Sequence, residues 1–134
     1  LKGILLAGSD EQKARYLPAL ATGEKVAAFA LTEPSAGSDA GSIKTKAELS
    51  EDGTEYILNG SKIWITNGRF ADVFTVFART TDPEGSGKPK IIALIVDREH
   101  GVTNGPDELG PVGSMGSLQP MIHLFVTCVP QSAS

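Results

Sequence analysis

One cysteine and one tryptophan in 134 residues leave little for several kinds of chemistry. A lone Cys128 cannot close an internal disulfide, and it forms no metal-ligand set with His100 or His123. It reads as a small apolar residue in a strand, and His123, on an apolar run, reads as a partly buried core histidine. Basic clusters are missing too. The twelve Lys and Arg residues are scattered and the net charge is −4, which argues against nucleic acid and against an anionic membrane surface. The longest apolar run, residues 91–96, is too short to cross a bilayer. There is no Gly-x-Gly-x-x-Gly, and no helix-length segment separates the later strands, which argues against a doubly wound dinucleotide fold. The first residue is Leu, and neither a basic n-region nor an Arg/Ser-rich transit segment follows. The chain is expected to be a processed product or a piece of a longer protein. On that expectation a missing targeting signal sets no location.

What is present begins with a helix start. Ser9 can cap, Gln12 stands three residues on as in a capping box, and Asp10 and Glu11 suit the positive end of the helix dipole. Pro18 is expected to kink or divide that helix, and Gly23 to stop it. From residue 26 the pattern changes to strands, expected at 26–31, 43–49, 56–58, 62–66, 73–78, 90–96 and 121–126. Glu51-Asp52-Gly53-Thr54 reads as a turn. Asn59-Gly60, between two apolar runs, reads as a hairpin turn. Residues 82–89 read as an exposed loop. Strands at this spacing imply a mainly β, antiparallel sandwich or barrel-like domain preceded by a short helical segment. The divisions are 1–24 for the helical segment, 25–130 for the β-domain and 131–134 for a tail.

Two stretches carry candidate chemistry. In Leu31-Thr32-Glu33-Pro34-Ser35-Ala36-Gly37-Ser38-Asp39, an apolar run stops at Pro34 and opens into small residues. Gly37 permits a positive φ or a close approach, and Ser38 and Asp39 add hydrogen-bonding groups. A strand ending in such a bend is a place to hold an anion. The second stretch is Asn59-Gly60-Ser61-Lys62-Ile63-Trp64-Ile65-Thr66-Asn67-Gly68.

Together, in this order, the two stretches resemble the paired signatures of the acyl-CoA dehydrogenases. The wording, with Phe74-Thr75-Val76-Phe77-Ala78, is most similar to the very-long-chain branch. The likeness runs from residue 1 to about 110. Leu109-Gly110 fits, and residues 115–120 depart from the family pattern before the end of the chain.

The resemblance implies the middle β-domain of a flavoenzyme, with residues 1–24 ending an N-terminal helical domain. It implies FAD as cofactor. Phe29 and Leu31 would lie along the flavin, and Thr32 and Thr66 at the ring edge. Trp64 would pack on the ring, Ile65 would contribute backbone contacts, and Gly37 and Ser38 would sit at the pyrophosphate. Ser38 would also stand near the acyl-CoA substrate. Asp39 reads as a cap, since a carboxylate repels phosphate. The reaction implied is α,β-dehydrogenation of a fatty acyl-CoA, with electrons passed to an electron-transfer flavoprotein. The parent would be a homo-oligomer, mitochondrial in a eukaryote or cytoplasmic in a bacterium.

The reaction needs a positioned base. Glu33 is structural in the family, and Glu48, Glu51, Glu55 and Asp72 fall in turns or exposed strand positions. No catalytic residue is assigned, and this stretch alone is expected to be inactive. Two other readings use the same residues: a non-catalytic interaction or assembly module, and an acyl-CoA oxidase.

Overall fold

A computed structural model of the chain describes residues 1–80, 89–105 and 122–130, the last of these as a backbone path. Two helices lead. Helix α1 is Lys2–Ala7 and α2 is Asp10–Thr22. The capping box forms as expected: the Gln12 amide donates to Ser9 Oγ at 3.2 Å and the Ser9 amide donates to Gln12 Oε1 at 2.9 Å. Gly23 closes α2 in the left-handed region. Pro18 does not divide the helix, which runs through it. No helix among the described residues is long and apolar enough to cross a membrane.

The rest is one seven-stranded sheet, so the mainly β class with a short helical lead stands. Its strands are β1 Ala27–Ala30, β2 Lys46–Leu49, β3 Glu55–Lys62, β4 Val73–Thr80, β5 Lys90–Asp97, β6 Val102–Asn104 and β7 Ile122–Pro130. The short β6 was not among the expected strands. Strand β4 is the spine. Along one edge it pairs antiparallel with β5 over its full length. It also pairs parallel with β1 through residues 73–76, and parallel with β2 at Lys46↔Arg79. The antiparallel expectation therefore holds at β2–β3, β3–β7, β4–β5 and β6–β7 and not at these two junctions. Between β1 and β2 the chain leaves the sheet, and the first signature occupies that excursion.

Alternation along β4 separates two apolar faces. Phe74, Val76 and Ala78 face a core shared with Ala28, Ala30, Ala47, Leu58, Leu94 and Val96. Val73 faces the other way, with Ile95, and meets Ile4 and Tyr16 of the helices. Polar contacts at the end of β5 fix that docking. Arg15 Nη2 and Tyr16 Oη both donate to Asp97 Oδ2, at 2.9 and 3.1 Å. Burial and the Asp97 carboxylate push the Tyr16 hydroxyl up to about 12, with Arg15 opposing.

Asn59-Gly60 is not a hairpin turn. Both residues lie inside β3, and the actual turn is at Glu51-Asp52-Gly53-Thr54, as expected, with Gly53 at φ 72°. The expected strand at 62–66 is instead the end of β3 followed by a bend. Gly60 serves close approach. A Cβ there would meet Thr45 Cα at 2.8 Å and collide with Thr45 Oγ1, the reason a glycine is kept inside a strand. Met121 and residues 82–88 of the expected loop at 82–89 lie outside the described residues, as does the divergent stretch 115–120.

Gly60→Ala therefore overpacks a backbone contact. A loss of about 1–3 kcal/mol is expected, read as a lower urea midpoint. An unchanged midpoint would show that the approach of Thr45 is not constrained.

Candidate functional site

The two signatures meet through one buried ion pair. Lys62 is fully buried and Glu33 is 4% exposed. Lys62 Nζ donates to Glu33 Oε1 at 2.8 Å and to the Leu31 carbonyl at 3.0 Å. Glu33 also accepts from the Lys44 amide at 2.5 Å, the Thr45 amide at 2.9 Å and Thr45 Oγ1 at 2.5 Å. Burial alone would raise the Glu33 pKa; the Lys62 ammonium, the Thr45 hydroxyl and the two amides outweigh it, and the net shift is downward. Burial pulls Lys62 below the usual lysine range, and Glu33 offsets part of that. A buried charge persists only when paired and hydrogen-bonded, and here both partners are.

This knot sets where the expected site residues lie. The Ile63 amide donates to the Thr32 carbonyl at 2.9 Å. Thr32 is therefore bonded directly to the residue that precedes Trp64. Leu31 and Thr32 are half-buried and follow the end of β1, so Leu31 does not share a strand face with Phe29. Phe29 does lie on β1, turned from the core, 56% exposed, with its ring 5.0 Å from that of Phe77. The structure thus brings Leu31, Thr32 and the Ile63–Thr66 bend together.

Trp64 stands at φ 58° and is 58% exposed. A bulky residue at positive φ is a backbone outlier that costs about 1–3 kcal/mol and persists only where neighbours enforce it. The enforcement is visible. Ile65 is 1% exposed and anchors the bend, and its carbonyl accepts from the Gly68 amide at 2.8 Å. Thr66 is exposed. Asn67 is also left-handed, at φ 65°, and accepts from the Phe70 and Ala71 amides.

Arg98 was not singled out in the sequence, and it holds this bend from behind. Its Nε donates to the Ala71 carbonyl at 2.6 Å, its Nη2 to the Gly68 carbonyl at 2.5 Å, and its guanidinium lies 5.1 Å from the Phe74 ring centre. An arginine after a strand carries no local signal for such a role.

The first-signature bend is partly closed on itself. Glu33 and Ala36 bond to each other, amide to carbonyl in both directions, at 3.0 and 3.1 Å. Gly37 and Ser38 follow, both exposed. Gly37 has no positive φ, and a Cβ there would meet no protein atom. Asp39 caps the next 3-10 turn, Ala40–Ser42, accepting from the Gly41 amide at 3.2 Å and from Ser42 Oγ. That is the role expected of it. Elsewhere, ligand-type atoms of Asp97, Glu99 and His100 lie within 4.8 Å of one another, but Arg15 is already paired with Asp97.

The family model for the acyl-CoA dehydrogenase middle domain matches residues 28–123. The chain belongs to the acyl-CoA dehydrogenase family. It is 60% identical over 111 residues to the human mitochondrial very long-chain specific acyl-CoA dehydrogenase, covering 80% of this chain and 17% of that protein. It is 55% identical over 106 residues to a probable acyl-CoA dehydrogenase of Bacillus subtilis, covering 78% and 17%. Its fold matches the crystal structure of a Bacillus anthracis acyl-CoA dehydrogenase complexed with FAD, with TM-score 0.81, 45% identity, and coverage of 97% of this chain and 21% of that one. The chain therefore spans about a fifth or less of these acyl-CoA dehydrogenases.

Glu33 has a folded pKa below its ordinary 4.5, so its stabilisation is complete above that value and is lost as pH falls through the lower one. Urea midpoints are expected to be level from neutral pH down to the unfolded value and to drop below it. Glu33→Gln should start lower and show a shallower acid limb. An acid limb identical in Glu33→Gln would assign the loss to other carboxylates.

Proposed function

We propose that the chain supplies the FAD-binding, acyl-CoA-contacting middle portion of an acyl-CoA dehydrogenase. The observation that carries this is the Trp64 bend: an exposed indole on a left-handed backbone, with Thr66 exposed beside it and the Thr32 carbonyl bonded to the preceding residue. Local strain that neighbours over-determine belongs at sites where a group must be pre-oriented. A flavin asks for a flat apolar surface and hydrogen-bonding groups at its ring edge. Trp64 offers the first; the hydroxyls of Thr32 and Thr66 offer the second. Leu31 and Phe29 extend the apolar surface, and Ile65 fixes the backbone. The open space at Gly37, beside the exposed Ser38, leaves room for a pyrophosphate.

FAD, when bound, supplies the hydride acceptor of an α,β-dehydrogenation of a fatty acyl-CoA. The chain's residues orient the ring and hold the substrate beside it through Ser38. In this reading the base for the α-proton is supplied from outside these residues, and the stretch alone is inactive. Electrons leave to an electron-transfer flavoprotein, and the working enzyme is a homo-oligomer. A eukaryotic parent acts in mitochondria and a bacterial one in the cytoplasm.

The test uses the full-length protein that carries this sequence. After gentle purification it should show flavin absorbance that a long-chain acyl-CoA bleaches without air. Trp64→Ala and Thr66→Ala should each weaken flavin retention, together by about tenfold or more. A colourless protein that takes up no added FAD overturns the reading. Flavin that acyl-CoA cannot reduce would leave an assembly role, and stoichiometric peroxide in air would mark an oxidase.

A further inference from the structure

The end of β5 carries a cluster that the flavin reading does not use. Asp97 closes the strand, and the 3-10 turn Arg98–His100 follows at once. Positions three apart eclipse in such a turn, which favours Asp97 and His100 on one side. One ligand-type atom each from Asp97, Glu99 and His100 lies within 4.8 Å of the other two. Gly101, left-handed at φ 110°, ends the turn, and its amide donates to the Arg98 carbonyl at 3.2 Å.

Two atoms of this cluster are buried without a partner. Asp97 is 7% exposed. Arg15 and Tyr16 both donate to its Oδ2, while Oδ1 has no hydrogen-bond partner among the described residues. Arg15 therefore satisfies one oxygen of the carboxylate and leaves the other open. His100 Nδ1 is buried and unpartnered in the same way, so the two atoms do not bond each other. Buried polar atoms are nearly always hydrogen-bonded, and each exception asks for a reason. With its proton on Nε2, His100 presents a lone pair at Nδ1, as the carboxylate does at Oδ1. A cation satisfies both. Glu99 adds a second carboxylate, and its exposure gives an ion a path in.

Two carboxylates and one imidazole, with no thiolate, suit a divalent ion that accepts both oxygen and nitrogen. Zinc takes three such ligands and a water. Ligands bound to one zinc stand about 3–4 Å apart, so the cluster has to contract by about 1 Å, a movement open to the exposed Glu99 side chain.

We propose that Asp97, Glu99 and His100 form a binding site for a divalent cation of the zinc type. The site does not depend on the flavin or acyl-CoA reading. The ion ties the turn that carries Arg98 to Asp97, the residue on which α2 docks.

The experiment strips the full-length protein with EDTA and titrates it calorimetrically with zinc chloride, beside Glu99→Gln/His100→Gln. The native protein should bind one zinc per chain that the double variant binds about a hundredfold more weakly or not at all. Zinc should raise the thermal midpoint of the native protein and not that of the variant. Zinc held elsewhere in the full-length chain enters both titrations equally and cancels. Matching midpoints in EDTA show that the variant folds; should it not fold, Glu99→Gln alone, at an exposed side chain, makes the comparison, with binding about tenfold weaker. Identical titrations of native and variant, or no zinc uptake by the native protein, would overturn the site.

Discussion

A lysine with no solvent exposure, held against a glutamate that is almost as deeply buried, is the constraint on which the site depends. Removing both charges from water is costly, and the pairing repays it only if every lone pair and proton is used. That condition reaches far along the chain. Glu33 consumes the amides of Lys44 and Thr45 and the Thr45 hydroxyl, while Lys62 reaches back to the Leu31 carbonyl. Three stretches, at residues 31–33, 44–45 and 62, are thereby locked in one register. Gly60 belongs to the same set, because Thr45 could not approach over a side chain.

The knot explains why Thr32, Trp64 and Thr66, the proposed flavin contacts, lie on an excursion and a bend rather than on strands. Between β1 and β2 the chain has left the sheet, so its backbone groups need other partners; the Glu33 carboxylate accepts from the Lys44 and Thr45 amides, and the Lys62 ammonium donates to the Leu31 carbonyl. After β3 the backbone adopts a left-handed step at Trp64. Arg98, reaching from the end of β5, pins the carbonyls of Gly68 and Ala71. The indole is thus presented outward by strain held from two directions, by the Thr32–Ile63 bond in front and by Arg98 behind.

Much of the fold was legible because it is local. The capping box at Ser9, the stop at Gly23, the turn at Gly53 and the apolar runs of β4 and β5 are each written in adjacent residues. The parallel pairing of β4 with β1 and β2 was not, since strand partners separated by a loop leave no local trace. Asn59-Gly60 misled for a similar reason: its glycine answers to Thr45, fifteen positions earlier. Both signatures were readable as candidate chemistry, and Lys62 stood inside one of them unremarked. Nothing in its neighbours in sequence says that it is buried; only the carboxylate at Glu33, brought near by the sheet, makes that burial tolerable. Arg98 became visible only through register.

The central claim is that one ion pair couples the two signature segments. Native-state hydrogen exchange on Lys62→Met in the full-length protein measures it directly. Breaking a buried pair costs about 3–5 kcal/mol, so amides at 31–45 and 59–66 should lose protection together, by about a hundredfold or more, while β4 and β5 keep theirs. Protection lost in only one of the two segments, or in neither, would contradict the account.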